Sequence, residues 1–196
     1  MKKSKFSISL VVFIVGLIFL SMFTTLSAGD YLDPGNSSGW VKGDILQSSI
    51  EEFGSKIRHS AMYLGSGKVI NIDVDGGVYE MSLTAFLAEV GSQPSPNFRV
   101  LRVRCTSAKR NAAANFAVSQ KGQGYDTWSI ILRTKQKDTG GLYGSYWYCN
   151  ELVWAAYRRT DEGQNAIQLD PGGDKGFVSA GDIYSSSNTD VIYQWY

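Results

Sequence analysis

The chain is short of the residues that most often carry catalysis and cross-linking, with one histidine and two cysteines in 196 positions. Two cysteines, Cys105 and Cys149, allow at most one disulfide. Charge is nearly balanced, 19 Lys and Arg against 18 Asp and Glu, which argues against a nucleic-acid-binding surface. Asp73, Asp75 and Asp126 are too few and too scattered for a metal site and read as turn and strand-end residues. No internal repeat is visible. Biased composition is confined to short Gly/Ser/Asp-rich turns around 35–39, 138–145, 171–176 and 185–188, which read as loops rather than linkers.

The exception to this even composition is the start. Lys2, Lys3 and Lys5 precede an apolar run from Leu10 to Phe23, and small residues follow to Ala28. That pattern reads as an export signal cleaved after Ala28, with an uncleaved membrane anchor as the alternative. Either way the folded part is expected outside the cytoplasm, secreted or held at the cell envelope, with the membrane touched only through residues 1–28. Removing them takes away three lysines and no acids, leaving a formal charge of about −2. Residues 29–196 are long enough for one core and short for two, so a single domain is expected.

From Gly43 the chain alternates strand and helix signals. Gly43-Asp44-Ile45-Leu46 opens a strand, and runs at 60–64 and 68–74 around Gly65-Ser66-Gly67 read as a hairpin. Asp75-Gly76-Gly77 turns the chain into Val78–Met81, and Ser82 can cap a helix reaching Val90. Phe98 to Cys105 reads as a strand although Leu101 breaks the alternation, and Ser107 to Gln120 as a helix stopped by Gly122 and Gly124. A further helix over 149–159 places Leu152, Val153, Ala155, Ala156 and Tyr157 on one broad apolar face. Asp182-Ile183-Tyr184 and Val191 to Trp195 are read as short strands. The sum is an α+β fold, an antiparallel sheet or small barrel with helices packed beside it.

Chemistry concentrates at few positions. A thiol reacts as thiolate, which a helix start and a neighbouring imidazole both favour, and Cys149 stands at the start of the 149–159 helix. His59, the only imidazole, precedes Ser60-Ala61-Met62-Tyr63-Leu64-Gly65. Asn71, twelve residues on, falls in the next strand, where hairpin pairing sets it near His59. Cys149, His59 and Asn71 thus form a candidate nucleophile, base and orienting group. The plainer alternatives are a structural histidine, a surface asparagine and a Cys105–Cys149 disulfide. Tyr143, Tyr146, Trp147 and Tyr148 precede the cysteine, with Trp128 upstream, and either line a cleft or anchor the loop. Tyr125 is open to the same two readings.

The pieces Gly43-Asp44-Ile45-Leu46, His59 through Ile70, Gly122-Gln123-Gly124-Tyr125-Asp126 and Tyr148-Cys149-Asn150-Glu151-Leu152-Val153-Trp154 resemble, in this order, the permuted papain-like amidase family, YiiX/YaeF-like relatives of NlpC-type cell-wall hydrolases. In ordinary NlpC-type domains the cysteine helix comes before the histidine strand. Here the histidine comes first, as expected of a circular permutation. The resemblance implies Cys149 as nucleophile, His59 as base, and Asn71 where the family often has a Glu or a second His. Tyr125 matches a family position, and with Trp147 and Tyr148 it is expected to contact substrate. Asn150 stands where a serine commonly follows the cysteine. The implied substrates are peptides, peptidoglycan fragments or acyl amides, without cofactor or metal. Relatives resembling lecithin retinol acyltransferase share the histidine-first order and suggest a lipid-directed alternative, and a non-catalytic binding module is a third.

Overall fold

The computed structural model describes residues 37–52, 55–93, 97–127, 130, 146–160, 166–170 and 176–195. The expected signal over 1–28, the turn over 138–145, Trp128 and Tyr143 lie outside the described residues. Along the chain come strands β1 (Ile45–Glu52), β2 (Ser55–Gly65), β3 (Lys68–Asp73) and β4 (Gly77–Ser82), then helix α1 (Leu83–Gly91), strand β5 (Phe98–Val103) and helix α2 (Ser107–Ser119). After them come the short strands β6 (Gly124–Tyr125) and β7 (Tyr146–Trp147), helices α3 (Cys149–Arg158) and α4 (Ala180–Ser185), and strand β8 (Thr189–Trp195).

Six strands form one sheet in the order β4-β3-β2-β1-β5-β8, every neighbouring pair antiparallel. The fold is therefore α+β, an antiparallel sheet packed against helices. The sheet ends at β4 and β8 rather than closing into a small barrel. Both faces are covered. On one, Ile45, Met62, Ile70, Ile72, Leu101 and Val103 meet Ala113, Ala114 and Ala117 of α2 and Leu152, Val153 and Ala156 of α3. On the other, Leu46, Ala61, Val69, Phe98 and Val100 meet Leu83, Phe86, Leu87 and Val90 of α1. Burial on two sides explains why Leu101 breaks a period-two pattern: Phe98 and Val100 join the cluster under α1, while Leu101 and Val103 join the one under α2 and α3. Each fully buried Ile, Leu or Phe contributes roughly 1.5–3 kcal/mol.

Local chemistry sets the element boundaries. Ser82 Oγ accepts the Ala85 N–H at the head of α1, and Thr106 Oγ1 accepts the Lys109 N–H at the head of α2. Such caps contribute about 1 kcal/mol each. Gly43 sits at φ +95°, and a Cβ there would stand 2.7 Å from the Arg110 carbonyl oxygen, so the turn into β1 is held tight against α2 only by a glycine. The neighbouring Asp44 is wholly buried and paired with Arg102, Nε to Oδ1 at 2.9 Å and Nη2 to Oδ2 at 2.7 Å.

A second expectation is corrected. The residues 182–184, read as a strand, belong to helix α4, because Ser179 Oγ accepts the Asp182 N–H while Asp182 Oδ2 accepts the Ser179 N–H, a closed capping box. Helix α3 buries its expected apolar face and the rest of its surface as well. All residues from Cys149 to Tyr157 are buried, and the helix's two large polar aromatics find partners inside: Trp154 Nε1 donates to Gln168 Oε1 at 2.6 Å and the Tyr157 hydroxyl donates to the Gly43 carbonyl. A third feature was not foreseen. Strands β6 and β7 pair in parallel, Gly124 with Tyr146 and Tyr125 with Trp147, and set Tyr125 beside the entrance to α3.

Candidate active site

The hairpin of β2 and β3 brings His59 and Asn71 together. Its ladder pairs Met62 with Ile70 and Tyr63 with Val69, and just beyond the Met62–Ile70 pair His59 Nε2 lies 2.6 Å from Asn71 Oδ1. Both residues are buried. The Asn71 amide is itself turned by the adjacent strand, since Nδ2 donates to the Tyr79 hydroxyl at 2.9 Å and to Met81 Sδ at 3.6 Å. With Nδ2 so engaged, Oδ1 faces His59, and a carbonyl oxygen can only accept. Nε2 therefore carries the proton and Nδ1 the lone pair, which makes Nδ1 the basic nitrogen of the neutral ring. Burial, followed by the nearby Asp73 carboxylate, pushes the Tyr79 phenol well above the ordinary range, so it stays neutral. Tyr79, Asn71 and His59 form one oriented chain across β4, β3 and β2.

Cys149 is the first residue of α3. Tyr148 occupies the position before it, with extended backbone (φ −103°, ψ 162°) and no side-chain cap on the first turn. Cys149 is buried and is not bridged to Cys105. It opens on a cavity of about 340 Å³ lined by Arg58, Tyr125, Ile130, Tyr148, Asn150, Phe177 and the α4 start at Ser179, Ala180 and Gly181. Tyr148 is held rigidly, its ring stacked on Phe177 at 4.9 Å and its hydroxyl accepting the Val178 N–H at 2.8 Å. Burial, then the nearby Glu151, raises that phenol far above its usual value, so it stays neutral.

The two halves meet at β2. Arg58, the residue before His59, lines the Cys149 cavity, and Asn150 Nδ2 points at the Arg58 carbonyl at 3.5 Å. A buried polar network fixes the far wall. Gln47 Nε2 donates to Ser60 Oγ at 3.1 Å and to the Ala180 carbonyl at 3.0 Å, while Arg99 Nε donates to Gln47 Oε1 at 2.8 Å. It ties the head of α4 to β1 and β2. Asn150 is 5% exposed and its Oδ1 has no hydrogen-bond partner. An unmet buried acceptor costs about 1–3 kcal/mol.

Of the residues singled out in the sequence, Tyr125 and Tyr148 line the cavity with Cys149, and His59 and Asn71 bond to each other on the adjoining strands. Trp147 does not line the cavity: it is wholly buried, packs edge-on against Phe116 at 6.0 Å, and donates from Nε1 to Gln123 Oε1 at 2.8 Å. It is a core residue that holds the β6–β7 ribbon. Arg58, Phe177, Tyr79 and the α4 residues were missed. Only the Ser179-x-x-Asp182 box carried a local signal for any of them.

No protein-family model and no curated protein matches this chain. Among solved structures it is similar to YiiX from Escherichia coli O157:H7 (DUF1105), described as a metalloprotein, at 15% sequence identity and a TM-score of 0.57, covering 79% of this chain and 97% of that one. Among the described residues here, no three His, Cys, Asp or Glu side chains are grouped to hold a metal ion, so this donor set does not fit one and no step below is drawn through a metal. The chain has a YiiX-like fold.

Proposed function

We propose that this chain is an extracytoplasmic cysteine hydrolase of the permuted papain-like type, acting on amide bonds with Cys149 as nucleophile, His59 as base and Asn71 as its orienting partner. The observation that carries this reading is the 2.6 Å bond from His59 Nε2 to Asn71 Oδ1. It leaves the Nδ1 lone pair for a thiol proton, on a strand whose preceding residue lines the Cys149 cavity. Asn71 carries no charge, so it orients the ring without stabilising its cation.

The chemistry proceeds in two balanced halves. Nδ1 of His59 takes the Cys149 proton, Sγ bonds to the amide carbon, and the carbonyl oxygen becomes an oxyanion near the Cys149 backbone N–H at the helix start. Collapse breaks the C–N bond, and the amine leaves with the proton from His59. Water then attacks the thioester, giving its proton to Nδ1. The S–C bond breaks, the acid is released and the thiol is restored.

Cell-wall peptides and acyl amides both fit this scheme. The apolar lining from Tyr125, Ile130, Tyr148 and Phe177 favours an apolar acyl group and supports the lipid-directed reading as the second. Export to the cell envelope through residues 1–28 belongs to the same proposal.

The test is the rate of Cys149 alkylation by iodoacetamide across pH in the full-length protein, with the labelled position identified by peptide mapping. An ordinary thiol, with a pKa near 8.5, is only about 1% thiolate at pH 6.5. Labelling at pH 6.5 some hundredfold faster than that baseline, lost in His59→Ala, is the expected result. A Cys149 that labels as an ordinary thiol would overturn the assignment and favour a binding module.

A further inference from the structure

The described lining of the Cys149 cavity is unbalanced in charge. Among the described residues Arg58 is the only charged side chain in it, and it is exposed at the wall beside the start of α3. One Arg58 donor is engaged, Nη1 to Asn97 Oδ1 at 3.1 Å, and a guanidinium has five. The first turn of α3 adds the positive end of a helix, with no side-chain cap on its N–H groups. Of the carboxylates one residue from a lining residue, Glu151 and Asp126 are buried, Asp182 Oδ2 is held by the Ser179 N–H and hydroxyl, and none of the three is part of the lining. The second observation is Asn150, nine-tenths buried in the cavity wall with Oδ1 unpaired. A cation and an uncapped helix start call for an anion, and an unmet acceptor calls for an N–H.

We propose that the substrate is an amide with a carboxylate a few bonds from its N–H, of the N-acyl amino acid or peptide C-terminus kind, the carboxylate held by Arg58 and the N–H received by Asn150. This rests on the hydrolase reading above and narrows its substrate class. The remaining lining, Tyr125, Tyr148 and Phe177, takes the uncharged acyl part. A plain ester lacks the N–H and a simple acyl amide lacks the anion, so both are disfavoured at this site.

The probe is a pair of alkylating agents that differ in charge. Iodoacetate carries the carboxylate that the cavity is proposed to select, and iodoacetamide does not. The ratio of their rates at Cys149, compared with free cysteine in the same buffer, is expected to be at least fivefold higher. It should fall toward the free value in Arg58→Gln, be partly kept in Arg58→Lys, and shrink as salt is added. Arg58 is exposed, and an unchanged melting temperature in both variants confirms intact folding. A ratio equal to that of free cysteine, or one indifferent to Arg58, overturns the substrate inference while fast iodoacetamide labelling keeps the hydrolase reading. If neither reagent labels Cys149 faster than an ordinary thiol, both readings are overturned.

Discussion

The two arms of the candidate site are built differently. The histidine arm is local: β2, β3 and β4 follow one another in the chain, and Tyr79, Asn71 and His59 are linked by side-chain bonds set by two tight turns. The cysteine arm is assembled from distant pieces, with Arg58, Tyr125, Cys149 and Ser179 meeting around one cavity. The first arm is ordered by hydrogen bonds between its own side chains, whereas the second keeps an uncapped helix start and an unpaired Asn150 oxygen. A base must be held in one tautomer before substrate arrives, while a binding pocket keeps polar groups for the substrate to satisfy.

Substitutions can break or sharpen that contrast. The largest effect is expected at the reacting groups. Cys149→Ala should remove turnover and His59→Ala should lower kcat by roughly 10²–10⁴-fold, with the melting temperature of each within a few degrees of the parent by scanning calorimetry. Next is Asn71→Ala, which frees the imidazole to rotate and should cost up to about a hundredfold in kcat with little change in KM. Retention of full kcat in that variant would show that the ring is held by something other than the β3 amide.

A smaller effect is expected at Tyr79→Phe, which removes one hydrogen bond, worth about 1 kcal/mol, and so roughly fivefold in kcat. If Tyr79 acts through the Asn71 amide, Tyr79→Phe in the Asn71→Ala background should add nothing, a result that a merely structural role would not give. The smallest effect is at Cys105, outside both arms. Burial is the leading cause raising its thiol above the ordinary value, with Arg110 acting the other way. The folded chain therefore holds that proton to higher pH than the unfolded chain. The stability it lends is full below the ordinary thiol value of about 8.5 and falls as pH rises through it. Cys105→Ala should leave turnover unchanged and flatten that alkaline loss in melting curves, and iodoacetamide should reach Cys105 slowly at pH 8.

The histidine arm was largely legible beforehand because its information is short-range. Gly65-Ser66-Gly67 marks the hairpin, and a twelve-residue spacing puts Asn71 within reach of His59 once the register is fixed. Tyr79 escaped notice because its role depends on β4 pairing Tyr79 with Asn71, which no residue type announces. The helix start at Cys149 was legible, but the enclosure of α3 was not, since Asn150 and Glu151 look like surface residues until the tertiary fold buries them. Trp147 was misplaced for a similar reason. An aromatic beside glycines fits a cleft or a core equally well, and its indole found a partner in Gln123, twenty-four residues away.

The sequence by itself determined the strand and helix order, save the short α4 and the β6–β7 ribbon, and the identity of the only imidazole and the helix-heading thiol, because turns, caps and periodicity act over a few residues. Tertiary structure alone decided the contents of the cavity wall. Arg58, Tyr125, Tyr148 and the head of α4 come together only when long-range packing closes the sheet against α3 and α4, and that closure depends on buried surface and on the Gln47 network rather than on any local signal.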